Sequence, residues 1–367
     1  VATMLVFGAV VAGRFFLPLL IPRYPLPAIV ACLVLDGVDQ TIFQAFGHDP
    51  PGYQSYDKAM DVFYLTIAYL AMMRNWSNLG AFRVGQALFF YRLVGVVAFE
   101  LTGARVLLLL FPNTFEYFFI AYEALRSRWS PMAFVLSTWI AVAAAIWVVV
   151  KLPQEYWIHV AQLDLTDLLT EQAWAPPLLL AVLLAVAGLV RYALLPRLGP
   201  PTREGWTLRA EPLPTAIDDP EEQAAWRATR GALRSWVTVE KVVMIGLLTV
   251  IFGQMLPGVS TSSVNVFLGI GAVVVVNTAL TLASSRARRT ISSMGWEFAA
   301  RMATNIVLVV VAEWLLRIDG GGIDGSSMLF FLVMVSLLSM LHDRWQPVQG
   351  WRQEQEERRT PSPAPAG

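Results

Sequence analysis

The chain has 367 residues, of which 56% are hydrophobic and only 15% charged, and its mean hydropathy is +0.56. Its 27 basic and 27 acidic side chains cancel. A single soluble core cannot hide that much apolar surface, so the composition excludes a cytosolic enzyme, a secreted domain and a nucleic-acid binder.

Runs of about 18 or more apolar residues read as membrane spans. In chain order, eleven such spans are expected at 2–20, 28–46, 59–73, 81–99, 106–122, 131–150, 176–195, 237–256, 264–282, 298–316 and 328–341. The first lacks a basic flank and a small-residue cleavage site, so it is expected to be a span and not a signal peptide. The runs are too long and too continuously apolar for barrel strands, which leaves helices as the spanning form. The expected fold is an all-α polytopic integral membrane protein of about eleven transmembrane helices. A seven-helix module covers 1–195 and a four-helix module covers 236–345. Between them, residues 196–235 form a charged cytoplasmic linker with one short helix, and 346–367 form a disordered cytoplasmic tail.

Charge placement sets the orientation. Arginine outnumbers lysine 24 to 3, and 18 of those arginines fall in alternate connections. These are the connections around Arg23, Arg74, Arg126, the 191–234 stretch, 286–289 and the 344–359 tail. The opposite connections are acidic, with Asp49, Asp57, Glu100, Glu155, Asp319 and Asp324 among them. The positive-inside rule then places the N-terminus outside and the C-terminus in the cytoplasm of a bacterial-type plasma membrane.

Ionisable residues inside the first module are the candidate site, because acids at membrane depth are costly. Span two carries Asp36, Asp39, Gln40 and Gln44 at helical spacing. Span three opens with Asp57, Lys58 and Asp61, followed by Tyr64, and span four contributes Arg83, Arg92 and Glu100. In span five, Pro112 is expected to kink the helix beside Asn113 and Glu116. After span six, Lys151 and Gln154 precede a stripe of Glu155, His159, Gln162 and Thr166, expected to be an amphipathic surface helix begun by Pro153. Together these residues describe an acid-rich funnel opening outward.

Asp36, Asp39, Asp57, Asp61, Glu116, Glu155 and His159 are the candidate catalytic residues, as acid, base or ligand. Gln40, Lys58, Tyr64, Arg92, Asn113, Lys151 and Gln154 are the candidate substrate-binding groups. Glu155 and His159, one turn apart, could ligate a divalent metal ion, with His48 or Asp39 completing the site. The single cysteine, Cys32, excludes an intrachain disulfide and cysteine-based metal clusters. Charge cancellation in lipid is the competing account, with Arg92 facing Asp36 or Glu116 and Lys58 facing Asp61.

Three functions fit this pattern. The first is a membrane-embedded enzyme or binding protein acting on a polar or lipid-linked substrate. The second is a proton- or cation-coupled transporter, with Asp49, Asp39, Asp36, Glu116 and Arg83 as a relay. The third is an accessory or scaffold subunit that docks a membrane partner through the four-span module, its basic loops touching anionic lipid. In the C-terminal spans the stripe of Glu297, Arg301 and Asn305 is expected to be a packing and hydrogen-bonding face.

Overall fold

The computed structural model describes residues 2–46, 53–156, 171–189, 191–192, 195–256, 259–316 and 323–359. The described residues are dominated by helices: α1 (Ala2–Phe16), α2 (Pro25–Ala45), α3 (Tyr53–Asn75), α4 (Leu79–Thr102), α5 (Val106–Leu110), α6 (Thr114–Arg126) and α7 (Leu136–Ala145). A π-helical stretch, Ile146–Lys151, leads from α7 into α8 (Leu152–Glu155). Then come α9 (Ala175–Leu189), α10 (Pro220–Arg230), α11 (Trp236–Met255), α12 (Ser263–Arg286), α13 (Met294–Leu316) and α14 (Gly325–Arg359). Eight helical stretches among the described residues are long and apolar enough to cross a membrane. The chain is therefore all-α and compatible with a multi-pass membrane protein.

Sequence chemistry explains the helix starts. Pro25 sits in the first turn of α2, where its missing N–H costs nothing. Asn78 accepts the Ala81 N–H at 2.8 Å to open α4, and Asp219 accepts the N–H groups of Glu221 and Glu222 at 2.7 and 2.8 Å to open α10. Asp324 does the same for Ser327 ahead of α14, and these hydrogen bonds hold its carboxyl below the usual range.

The organising element is α3. Every residue from Ala59 to Met73 is buried, so the helix is enclosed on all sides. This explains why span three looks short and polar in the sequence: its charges face other helices. Apolar side chains on the outer helices behave oppositely, as with Val34, Val38, Val149, Leu180 and Leu268, which are all exposed.

The hydrophobic core crosses the boundary expected between two modules. Phe15 of α1 lies 6.2 Å from Phe252 of α11 and 5.7 Å from Phe330 of α14, ring centre to ring centre. Glu240 of α11 accepts hydrogen bonds from Tyr69 of α3 and, at 3.1 Å, from Gln86 of α4. Through α11 and α14, the C-terminal spans thus pack into the first set and share its core.

All the arginine-bearing connections meet on one face. Ala210 donates to the Arg23 carbonyl at 2.9 Å, and Thr202 and Thr207 donate to those of Arg128 and Ser127 at 3.1 and 3.0 Å. Arg74 reaches the Pro22 carbonyl at 3.3 Å, and Arg352 reaches those of Met73 and Trp76 at 3.2 and 3.1 Å. The 196–235 stretch is therefore a strap laid across helix ends. The tail also departs from expectation: α14 continues as helix to Arg359, with Pro347 inside it, instead of becoming disordered at 346. Its far end is held by packing, as buried Val348 and Gly350 show, and by an Arg230–Glu354 ion pair at 2.9 Å.

Span five breaks where Pro112 predicts a kink. The chain leaves helix between Leu110 and Thr114, and Gly95 of α4 makes room for the break. A Cβ on Gly95 would lie 2.1 Å from Cβ of Phe111, whereas one on Gly8 would meet nothing within 4 Å. Gly95→Ala is expected to destabilise the protein by about 1–3 kcal/mol through overpacking, while Gly8→Ala leaves stability level or slightly raised. Thermal unfolding of both variants in one detergent checks the difference.

Candidate functional site

The centre of the site is a residue that the pattern of the first span conceals. Arg14, in the last turn of α1, is buried at 4% exposure. Its guanidinium is bonded to Asp36 and Asp39 of α2, and lies 3.5 Å from Asp57 and 3.4 Å from Asp61 of α3. One base thus gathers four aspartates from two helices. Asp39 is fully buried and also accepts a hydrogen bond from Tyr53, while Asp36 is part-exposed.

Three further bases extend the network. Lys58 lies 2.6 Å from Asp57 and 3.6 Å from Asp61. Arg92 of α4 stands 3.9 Å from Asp61 and donates to the Phe111 carbonyl at 2.9 Å. Lys151 ends the π-helical stretch; its ammonium lies 3.0 Å from Gln154 Oε1, 3.9 Å from Glu155 and 4.2 Å from the Tyr117 ring centre.

The broken span supplies the floor. Tyr91 takes the Leu110 carbonyl at 2.7 Å, so the acceptors freed at the break are satisfied by α4. Asn113 caps α6 and donates to Glu116 Oε2 at 3.0 Å, while Tyr64 donates to Glu116 Oε1 at 2.5 Å. The Asn113 N–H points to Glu155 Oε1 at 3.3 Å. Glu116 and Glu155 therefore flank a buried, non-helical stretch of backbone.

Most of the expected residues are thus brought together: Asp36, Asp39, Asp57, Lys58, Asp61, Tyr64, Arg92, Asn113, Glu116, Lys151, Gln154 and Glu155 belong to one connected set. Gln40, Gln44 and Arg83 do not, for all three are exposed. The inward face of α2 runs Cys32, Asp36, Asp39, Phe43, so the stripe drawn through Gln40 and Gln44 is rotated off it. Pro153 lies within a helix continuous from span six and does not begin a separate one. His48, Asp49, His159, Gln162 and Thr166 lie outside the described residues.

The expected charge pairing is also revised. Arg14, not Arg92, pairs with Asp36, and Arg92 turns to Asp61 and a freed carbonyl. A divalent ion fits the arrangement poorly. Asp36, Asp57 and Asp61 present oxygens within 4.8 Å of one another, but Arg14 contacts all three. Glu155, for its part, faces the Lys151 ammonium.

A second ionic cluster sits towards the arginine-bearing face. Asp343 of α14 lies 2.8 Å from both Lys241 of α11 and Arg301 of α13, and Glu297 bridges Arg301 at 3.1 Å and Arg344 at 3.3 Å. Asn305 joins Asn277 at 2.5 Å and Ser336 at 2.8 Å. The Glu297–Arg301–Asn305 stripe is accordingly a bonding face, with Asp343 as the hub that the sequence left unmarked.

Removing Arg14 leaves four acids without their shared counter-charge. Arg14→Gln is expected to cost about 3–5 kcal/mol, the usual penalty for orphaning buried ion-pair partners. Adding Asp39→Asn should restore part of it, because one orphaned charge is then neutral. Chemical denaturation of the single and double variants gives the coupling. The chain matches no protein-family model, no curated protein and no solved structure.

Proposed function

We propose that the chain is a proton- or cation-coupled transporter of a bacterial-type plasma membrane. It crosses eleven times, its arginine face is cytoplasmic, and its acid centre is reached from the opposite side. The observation that carries this reading is the broken helix at Phe111–Asn113, set against a centre whose acids outnumber its bases. Among the described residues, six carboxylates (Asp36, Asp39, Asp57, Asp61, Glu116 and Glu155) share four bases (Arg14, Lys58, Arg92 and Lys151). Surplus negative charge in lipid favours uptake of a proton or a cation. Non-helical backbone at that depth is tolerated where it is buried or lines an aqueous cavity, and discontinuous helices commonly form the ion sites of transporters. The π-helical turns before Lys151 put a second irregular span beside the first.

An enzyme or binding protein for a polar or lipid-linked substrate would draw on the same residues. What favours transport is that each of the four aspartates already faces Arg14, so its chemistry is exchange of counter-charge more than attack on a substrate.

Protein reconstituted into liposomes carrying an internal pH dye, under imposed proton, sodium or potassium gradients, tests the proposal. The expected result is gradient-dependent flux that falls at least about tenfold in Asp36→Asn, whose carboxylate is the most exposed of Arg14's four partners. Absence of flux under every gradient, with the protein folded and inserted, would overturn transport. Loss of a co-purified ligand in the same variant would then support the binding reading.

A further inference from the structure

We propose that a cavity on the arginine-bearing face, enclosed by α10, α12, α13 and the adjoining turn of α14, binds the phosphate group of an acidic ligand. The site is separate from the acid centre and does not depend on its function. The cavity measures about 180 Å³ and is lined by Arg227, Arg289, Arg301 and Arg344, with Glu297 the one carboxylate residue in its lining.

The charge balance around it is lopsided. Arg301 is buried at 8% exposure and divides itself between Asp343 and Glu297. Those same two acids also serve Lys241 and Arg344. Arg227 is left with neutral partners, Ser285 Oγ at 3.0 Å and the main-chain oxygen of Asp343. No polar partner engages the Arg289 side chain among the described residues. Four guanidiniums and one ammonium therefore face two carboxylates, the reverse of the imbalance at the acid centre.

The remaining lining suits phosphate in particular. Thr281, Ser284, Thr290 and Thr304 bring hydroxyls to the same wall. Guanidinium forks match the geometry of phosphate oxygens, and hydroxyls can complete their coordination. Glu297, in the first turn of α13, marks the helix end that opens here, where backbone N–H groups favour an anion. Leu280 and Ile291 are exposed on the rim, so the phosphate could belong to an acidic phospholipid headgroup or to a free phosphate compound.

The test uses the full chain in phosphatidylcholine nanodiscs and reads the thermal midpoint. One arm titrates inorganic phosphate, and the other raises the mole fraction of phosphatidylglycerol in the disc. A saturable upward shift is expected in at least one arm, and Arg289→Gln should weaken it about tenfold, as befits loss of a charged hydrogen bond. Arg288→Gln removes the same charge one residue away, outside the cavity lining, and should leave the shift intact. A shift with phosphatidylglycerol alone assigns the phosphate to a lipid; a shift with inorganic phosphate alone assigns it to a soluble compound. No shift in either arm, a shift indifferent to Arg289→Gln, or equal weakening by Arg288→Gln would each overturn the proposal.

Discussion

Burying Arg14 among four aspartates is the constraint to which the first half of the fold answers. A lone guanidinium or carboxylate in hydrocarbon costs several kcal/mol, and partners must come from other helices when the local sequence has none. Arg14 therefore draws α1 against both α2 and α3. Asp61 then passes the connection to Lys58 and Arg92, and Arg92 holds the carbonyl of Phe111 at the break in span five. Through Asn113 and Glu155 the same chain of polar contacts reaches the π-helical span. Arg14 touches all four aspartates, and Asp57 and Asp61 are each shared with a second base, which makes the aspartate centre a single unit and not a set of separate pairs.

The zero net charge of the chain conceals two populations with opposite surpluses. Among the described residues, the centre around Arg14 holds more acids than bases, and the cluster around Asp343 more bases than acids. The two lie towards opposite ends of the helix bundle, since the second cluster adjoins the connections that carry most of the arginines. A proton or cation at the first and an anion at the second would each relieve a local imbalance. Neither need is visible in the totals.

Much of this was legible in the amino-acid order, and the failures have physical causes. Apolar runs located the eight helical stretches that are long and apolar enough to cross a membrane, and Pro112 located the break, because its missing N–H falls within an otherwise apolar span. Arg14 is concealed because it sits in a strongly apolar span, where one charge looks like an edge residue. Its partners are 22 to 47 positions away, beyond the reach of helical periodicity. The wheel for α2 was rotated towards Gln40 because polar identity alone cannot tell lipid-facing from protein-facing sides. Asp343 was overlooked for the same reason as Arg14: its counter-charges, Lys241 and Arg301, lie on other helices. The continuation of α14 to Arg359 depends on packing against the strap and α10, and composition at the tail gave no hint of it.

The two charge centres are joined mechanically through α3 and α11. Tyr69 lies eight residues beyond Asp61 on α3, about 12 Å along the axis, and donates to Glu240. The next residue on α11, Lys241, turns about 100° around the helix to reach Asp343. A rotation of α3 large enough to re-pair Asp57 and Asp61 would swing Tyr69 away from Glu240. It would also disturb the buried stack of Tyr69 on Phe89, whose ring centres lie 4.5 Å apart. Because close-packed interiors resist gradual deformation, α3 and α11 must either stay in this register or move together. Any change of counter-charge around Arg14 that shifts α3 therefore bears directly on the helix that holds Lys241 against Asp343.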